Sequence, residues 1–197
     1  MTTVFEIDKK VSAPTIERRK FTTDEYQKMT QLGILPEESG WEIIDGEIIK
    51  KMPTGSKHAG TVKKINRILT ANLGNEFVIA VQDPIHLDDY NEPEPDVAIL
   101  RFREDIYTES HPLPNDVLVV IEVSDSTIKY DRETKKNMYS EFGITEFWLV
   151  DLTERIIEIH TQPRQGIYRN MQIFGLDEIL QSQTIESLTL DVNQILG

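Results

Sequence analysis

Two spacings of hydrophobic residues alternate along the chain and predict strands and helices in turn. From Val117 to Val123 the run is apolar except for one charged residue, Glu122. A run of this kind is typical of a strand that is buried on both faces. Shorter apolar runs predict three further strands, at 77–81, 97–100 and 146–151.

Apolar residues three or four positions apart predict the helices. The segment from Thr22 to Glu25 offers an oxygen-bearing cap and acids in the first turn, so a short helix is expected to begin there. A second helix is predicted from Ser56 or Lys57 to about Leu73, and a third from roughly Tyr130 to Phe142. The second helix has an inward stripe formed by Val62, Ile65, Leu69 and Leu73.

Turn residues between apolar runs predict two hairpins. Asp45-Gly46 divides the segment from Trp41 to Ile49, and these residues tolerate the positive φ angles that a tight hairpin turn needs. The runs 155–160 and 166–174 predict a second antiparallel pair. We expect 85–87 to resume the strand that ends at Asp83-Pro84, and the last twenty residues to end in a short helix.

The order of these elements predicts the fold class. A helix, three strands, a helix and a strand follow one another between residues 56 and 151. Helices on both faces of a small sheet would explain why the Glu122 strand lacks a polar face. We therefore expect an α/β fold with a mixed β-sheet flanked by helices and an added N-terminal hairpin. Residues 1–20 are expected to form an N-terminal arm, and residues 21–197 a single domain.

Composition narrows the class of protein. The chain has 197 residues, with 39% hydrophobic and 28% charged residues, which is ordinary for a soluble globular protein. It contains no cysteine, which excludes disulfides and cysteine-based zinc sites. The acidic residues near the N-terminus exclude a signal peptide, and no apolar run approaches the ~20 residues of a membrane span. We expect a cytoplasmic protein without membrane contact.

The charge is unevenly distributed. The net charge is -13, which argues against long-range attraction to nucleic acid. Residues 48–75, however, contain no acid and six basic residues, so the remainder carries -13 minus 6, or -19. A basic helix face could hold a phosphate backbone, and a solvated helix surface explains the pattern equally well. The candidate nucleic-acid-binding residues are Lys57, Lys63, Lys64 and Arg67.

Two carboxylates lie in apolar strand sequence, where folding alone disfavours a charge. Glu122 lies within the buried strand, and alternation places it on the same face as Leu118 and Val120. Asp96 immediately precedes the run 97–100. If these strands are neighbours, both carboxylates can converge and hold a hard cation such as Mg2+ or Mn2+. The alternative is that Asp96 caps a strand and that Glu122 pairs with a buried base.

A lysine on the third helix is the next candidate. Met138, Tyr139 and Phe142 follow Lys135 by three, four and seven residues, which places Lys135 within the inward stripe. Lys136 lies beside it, about 100° around the helix axis. An inward lysine near two carboxylates can position a water or stabilise negative charge. The alternative is a lysine that extends past the core to solvent.

Other polar residues give weaker signals. Glu42 in the hairpin and His58 at the start of the second helix are accessory candidates for the same site. Ser124 follows Glu122 by two residues, but its surroundings lack the glycine elbow that exposes a serine nucleophile.

Several motifs in order carry a resemblance to a known family. The pair Pro95-Asp96 followed by Glu122-Val123-Ser124 resembles the PD-(D/E)XK nuclease superfamily. More closely, the chain is similar over roughly residues 20–175 to a bacterial group named putative restriction endonucleases, formerly a domain of unknown function. The segments that resemble this group are 41–47, 94–98, 120–126, 130–135 and 143–151.

The resemblance implies a restriction-endonuclease-like core, Mg2+ dependence and DNA as substrate. It assigns the superfamily's aspartate to Asp96 and its glutamate to Glu122. The lysine expected two residues after the glutamate is replaced by Ser124. In this group the lysine is expected on the following helix, where the helical spacing independently places Lys135.

The sequence therefore favours a metal-dependent DNA endonuclease in which Asp96 and Glu122 bind Mg2+ and Lys135 assists the reaction. A non-catalytic DNA-binding or protein-interaction module on the same fold is the main alternative, and a hydrolase of RNA or of a small phosphodiester is a third. A homodimer is expected, because cutting both strands needs two sites and two-fold dimers are the commonest assembly.

Overall fold

Short N-terminal elements precede the main sheet in the computed structural model, which describes residues 18–36, 40–52 and 55–197. Helix α1 spans Thr23–Gln31, and Thr22 and Glu25 form a capping box at its start. Strands β1 (Trp41–Ile44) and β2 (Glu47–Lys50) form the predicted hairpin as a separate two-stranded sheet. Most of the expected arm, residues 1–17, lies outside the described residues.

A six-stranded mixed sheet forms the centre of the molecule, with the order β3-β4-β5-β6-β7-β8. Strands β5 and β6 are parallel, and every other neighbouring pair is antiparallel. All eight residues of β5 are buried, as the apolar run predicts. The strands are β3 (Phe77–Ala80), β4 (Val97–Arg101), β5 (Val117–Ser124), β6 (Glu146–Asp151), β7 (Ile156–Arg164) and β8 (Ile167–Phe174).

Helices cover both faces of this sheet, so the predicted fold class is confirmed. Helix α2 (Ser56–Leu73) packs its predicted stripe on one face, against residues that include Ile99 and Ile121. The other face is covered by a continuous helical segment, 128–141, which packs Met138 and Tyr139 against the sheet. This segment consists of α3 (Ile128–Tyr130), a π-helical turn (Asp131–Lys135) and α4 (Lys136–Glu141).

The C-terminal segment contains a hairpin that the sequence pattern did not predict. Strand β9 (Ile179–Gln181) pairs with β10 (Thr189–Asp191), and the predicted final helix follows as α5 (Val192–Leu196). These short elements bury apolar residues in the same core as α2. The alternating apolar pattern of β9 and β10 is too short to be recognised as a hairpin from the sequence, where the packing against α2 is not visible.

Two local predictions were wrong, while the helix expected from roughly Tyr130 begins two residues earlier, at Ile128. Residues 85–87 form a loop rather than a strand. Leu118 packs in the core on the α2 side, whereas Val120 packs on the opposite side. The cause is a register shift, because Ile99 pairs with Val119 but Leu100 pairs with Val117. The extra residue interrupts the simple alternation on which the prediction depended.

In the part of the chain that the structure describes, no helix has the length and apolar character needed to cross a membrane.

Candidate active site

The register of β4 and β5 brings Asp96 and Glu122 together. Val97 pairs with Ile121, so the preceding Asp96 lies opposite Glu122 across the two antiparallel strands. Asp96 Oδ2 accepts a hydrogen bond of 2.9 Å from the backbone N–H of Val123. Both carboxylates are buried, and both line a cleft of about 260 Å³. The two residues are therefore neighbours at the end of the sheet where β4 begins and β5 ends.

Two hydrogen-bond donors from the helical segment 128–141 contact the carboxylate of Glu122. Lys135 Nζ lies 3.1 Å from Oε1, and the Tyr139 hydroxyl donates to the same oxygen at 3.0 Å. Glu122 is only 4% exposed. Burial raises its pKa to about 7, assisted by the negative charges of nearby Asp96, Asp131 and Glu42 and opposed by the positive charge of Lys135. A cation in the cleft would relieve this unfavourable environment.

Lys135 bridges two carboxylates from different sheets. Its Nζ lies 3.1 Å from Glu42 Oε2 in the hairpin, in addition to its contact with Glu122. Burial lowers the pKa of a lysine, but the attraction of Glu122 and Glu42 outweighs it and raises the pKa of Lys135 above its ordinary value. Lys135 is therefore a buried, charged ammonium group. Glu42 also accepts a bond of 3.3 Å from the backbone N–H of Glu94.

Asp96 has its own basic partner. His58 Nε2 lies 3.0 Å from Asp96 Oδ2, and Gln82 Nε2 donates to Oδ1 at 3.4 Å. Although burial opposes the change, the hydrogen bond and charge of His58 lower the pKa of Asp96. The bond to Asp96 in turn raises the pKa of His58. Asp96 is thus ionised in the folded protein, and Glu122 is the carboxylate that protonates more readily.

A family model described as "Putative restriction endonuclease" matches residues 23–193, which include every one of these side chains. The chain belongs to this family, named Uma2. The resemblance inferred from the motifs is therefore confirmed at the level of the family. A search of curated proteins found no match.

A solved structure supports the fold of this Uma2 chain. It is the crystal structure of a "putative nuclease belonging to DUF820" from Anabaena variabilis. The two structures superpose with a TM-score of 0.68 over 89% of this chain and 97% of the other. Their sequences are 19% identical, so this likeness concerns the fold alone.

Three further residues of the Uma2 site escaped the sequence analysis. Asp131 is buried in the cleft, where it accepts a 2.7 Å bond from the Thr127 hydroxyl, and burial raises its pKa. Tyr139 binds Glu122, and Tyr130 lines the cleft. Asp131 and Tyr139 lie four residues before and after Lys135, so helical spacing was a signal that could have identified them.

The predicted nucleic-acid-binding residues lie elsewhere on the Uma2 chain. Lys57, Lys63, Lys64 and Arg67 are exposed on α2, and none of them lines the cleft. Lys57 donates to the carbonyl oxygen of Leu152 at 2.7 Å, and Lys64 to that of Gly197 at 3.0 Å. The lysines that line the cleft are Lys50, Lys51 and Lys135.

The Uma2 cleft offers oxygen ligands that suit Mg2+, although it is not a complete metal cage. Among the described residues, no three acidic or histidine side chains converge closely enough to hold a metal alone. Mg2+ commonly uses one or two carboxylates and keeps water or phosphate oxygens as its other ligands. Asp96 and Glu122 are neighbours that both line the cleft and supply two carboxylates of this kind, so the residues fit the ion.

Proposed function

We propose that this protein is a Mg2+-dependent endonuclease that hydrolyses DNA phosphodiester bonds. The observation that carries the proposal is the convergence of buried Asp96, Glu122 and Lys135 at one cleft. For folding alone, apolar residues of similar volume would serve as well as a buried lysine with its carboxylates, because the desolvation of the charges offsets much of their attraction. A catalytic role explains such an arrangement better than folding does. Membership of a family described as putative restriction endonucleases favours phosphodiester hydrolysis as the reaction.

Each cleft residue has a role in this proposal. Asp96 and Glu122 would bind Mg2+, or Mn2+ in its place, through carboxylate oxygens. The ion, when bound, would lower the pKa of a coordinated water and neutralise charge on the scissile phosphate. Lys135 orients the attacking water and stabilises the negative charge that develops on the phosphate.

Glu42 and His58 act as positioning residues. Glu42 fixes the ammonium group of Lys135 through a second ion pair, at 3.1 Å, in addition to the one with Glu122. His58 hydrogen-bonds Asp96 and keeps it ionised, as a cation ligand must be. Changes at these two residues are therefore expected to weaken the reaction less than changes at Asp96 or Glu122.

The charge of the cleft supports a requirement for a divalent cation. Six acidic residues line it against three lysines, a formal balance of three minus six, or -3, before any charge on His58 is counted. A DNA phosphate would be repelled by this surface unless a cation were bound first. The proposal therefore also predicts that DNA binds more tightly in the presence of Mg2+. The acidic residues are Glu42, Glu94, Asp96, Glu122, Asp125 and Asp131.

The test compares two buried glutamates on the same sheet. Calorimetric titration of Mg2+ and cleavage of labelled duplex DNA are measured for wild type, Glu122→Gln and Glu158→Gln. Glu158 lies on β7, is equally buried and does not line the cleft, so it controls for general effects of a buried substitution. We expect Glu122→Gln to lose Mg2+ affinity and cleavage by more than the roughly 10- to 100-fold that outer-shell changes cause.

The control variant is expected to keep both Mg2+ binding and cleavage. Cleavage at the wild-type rate by Glu122→Gln would contradict the proposal. So would equal Mg2+ affinity in the wild type and Glu122→Gln.

A non-catalytic DNA-binding or protein-interaction module is the second candidate. It is favoured by the net charge of -13 and by Ser124, which stands where the superfamily's lysine is expected. Such a module would bind its partner without Mg2+ and would cleave neither DNA nor RNA. A substrate panel of DNA, RNA and small phosphodiesters separates this candidate from a nuclease of different specificity. The homodimer stays a prediction that ultracentrifugation can test.

A further inference from the structure

One buried hydroxyl of the cleft has no hydrogen-bond partner among the residues that the structure describes. Among the described residues, four buried polar side-chain atoms lack a hydrogen bond, and two of them belong to residues that line the cleft. They are His58 Nδ1 and the hydroxyl oxygen of Tyr130. The imidazole of His58 is already engaged with Asp96 through its other nitrogen. Of the two residues, Tyr130 is therefore the one whose side chain makes no hydrogen bond at all among the described residues.

Tyr130 itself is partly exposed, but its hydroxyl oxygen is buried. The two tyrosines that are buried as whole residues do have partners. The hydroxyl of Tyr139 donates to Glu122, and that of Tyr168 donates to the carbonyl oxygen of Ile144 at 2.8 Å. A buried hydroxyl without a partner is unfavourable, because it has given up its bonds to water. Phenylalanine would pack at this position without that cost. Folding alone therefore gives no reason for a hydroxyl at Tyr130.

The π-helical turn explains how Tyr130 reaches the cleft. In a regular α-helix, residues five positions apart point about 140° away from each other. In this turn the N–H of Lys136 bonds to the carbonyl of Asp131, five residues earlier, so the turn is wider than the 3.6 residues of a regular α-helix and residues five apart point in more similar directions. Tyr130 consequently lies on the same side as Lys135, and both line the cleft. Turns of this kind occur frequently at functional sites.

The hydroxyl of Tyr130 is suited to donate a hydrogen bond and unsuited to ionise. Burial raises its pKa above the ordinary tyrosine value, and the nearby charge of Glu42 raises it further. The group thus keeps its proton. The partner that it lacks is a hydrogen-bond acceptor, and an anionic oxygen is the strongest type of acceptor.

We propose that Tyr130 is a catalytic residue whose hydroxyl donates a hydrogen bond to a non-bridging oxygen of the scissile phosphodiester. This inference rests on the proposed nuclease function and adds a substrate contact to it. The hydrogen bond supplements the charge of Lys135, which approaches the same cleft from the same helical segment. No proton is transferred, so Tyr130 contributes by stabilising the charge that accumulates on the phosphate oxygen.

The test uses Tyr130→Phe, with Tyr168→Phe as the matched control. Both changes remove one buried hydroxyl, but Tyr168 does not line the cleft. Single-turnover cleavage of duplex DNA is measured at saturating Mg2+, together with Mg2+ affinity and stability toward urea. We expect Tyr130→Phe to cleave roughly 10- to 100-fold more slowly, the effect of losing one bond to a charged group. Its Mg2+ affinity should be unchanged and its stability unchanged or higher.

Sulfur substitution of the phosphate distinguishes a direct contact from a structural role. Replacing the contacted non-bridging oxygen by sulfur is expected to slow wild type strongly and to add little further loss in Tyr130→Phe. Cleavage at the wild-type rate by Tyr130→Phe would overturn the inference. The inference would also be overturned if Tyr130→Phe cleaves slowly and each of the two phosphorothioate isomers still slows it by the same factor by which it slows wild type. In each of these cases wild type still cleaves, so the nuclease proposal survives.

A binding measurement covers the case in which wild type cleaves no DNA. The nuclease proposal then fails, and calorimetry with the dinucleotide TpT in the presence of Ca2+ tests the phosphate contact itself. Tighter binding by wild type than by Tyr130→Phe supports the contact. Equal affinity, or no binding by either protein, overturns it.

Discussion

Lys135 is a cation that folding has almost entirely removed from water, with its side chain only 6% exposed. Its position follows from helical spacing, because Met138 and Tyr139 lie three and four residues later and are also buried. Its two partners come from outside the helix, Glu122 from the central sheet and Glu42 from the hairpin. The neighbouring Lys136 has no such environment and is partly exposed.

The pair Lys135→Met and Lys136→Met tests this difference. Removal of the charge at Lys135 leaves two buried carboxylates without their cation, so we expect the free energy of unfolding to fall by about 3–5 kcal/mol. The change at Lys136 is expected to alter it by less than about 0.5 kcal/mol. Urea unfolding at pH 7, followed by circular dichroism, measures both. Equal stability of the two variants would show that the buried ion pairs are not formed in solution.

The hairpin is the element that brings Glu42 to the site. It is not part of the six-stranded sheet, and backbone hydrogen bonds join it to neighbouring loops, from Glu92 to Ile43 and from Gly46 to Tyr90, both at 2.9 Å. Gly46 also accepts a 2.9 Å bond from Phe21 and has a φ of +71° in the turn. A side chain at Gly46 would meet Lys20 Cβ at 2.6 Å. The turn thus requires glycine for both conformation and space.

Two glycine-to-alanine substitutions compare the stability effect of a side chain in the hairpin turn with its effect inside helix α2. Gly46→Ala is expected to lower the free energy of unfolding by at least about 1–2 kcal/mol, since the left-handed conformation and the close contact both oppose a side chain. Gly60→Ala, inside α2 with no atom beyond its own helix backbone within 4 Å of an added Cβ, is expected to raise it by about 0.5–1 kcal/mol. Thermal unfolding compares them. A neutral Gly46→Ala would contradict the requirement for glycine at this turn.

At the scale of the whole molecule, a second charged cluster joins the helical segment to the far strands of the sheet. Arg132 Nε donates to Glu158 Oε1 at 3.1 Å, and His160 Nε2 lies 2.9 Å from Glu158 Oε2. Arg132 also lies 3.6 Å from Asp151 Oδ2. Burial alone would raise the pKa of Glu158, but the bonds from His160 and Arg132 lower it below its ordinary value of 4.5.

The lowered pKa of Glu158 leads to a prediction about the stability of the protein in acid. Because the pKa of Glu158 is lower in the folded than in the unfolded chain, its ionised form stabilises the protein above the unfolded pKa. That contribution is lost as the pH falls from about 5 through the lower folded pKa. Wild type should therefore lose more stability than Glu158→Gln between about pH 5 and pH 3. Urea unfolding at several pH values measures this, and parallel curves for the two proteins would contradict it.

Local patterns predict the elements well because side-chain period is a property of the segment itself. The buried β5 strand, the α2 stripe and the Asp45-Gly46 hairpin follow directly from the order of residues. The π-helical turn does not, since a wide turn persists only where surrounding contacts hold it. The β9–β10 hairpin was missed for a related reason, because it becomes stable only when it packs beside α2.

The sequence by itself determined which residues carry unusual chemistry: a carboxylate in an apolar strand, another at a strand entry and a lysine on an inward helical stripe. Only the tertiary structure decided how they meet. The β4–β5 register places Asp96 opposite Glu122, the hairpin adds Glu42, and the π-helical turn adds Tyr130. The physical reason is that convergence depends on pairing and packing between segments far apart in the chain, and the period within one segment carries no information about that.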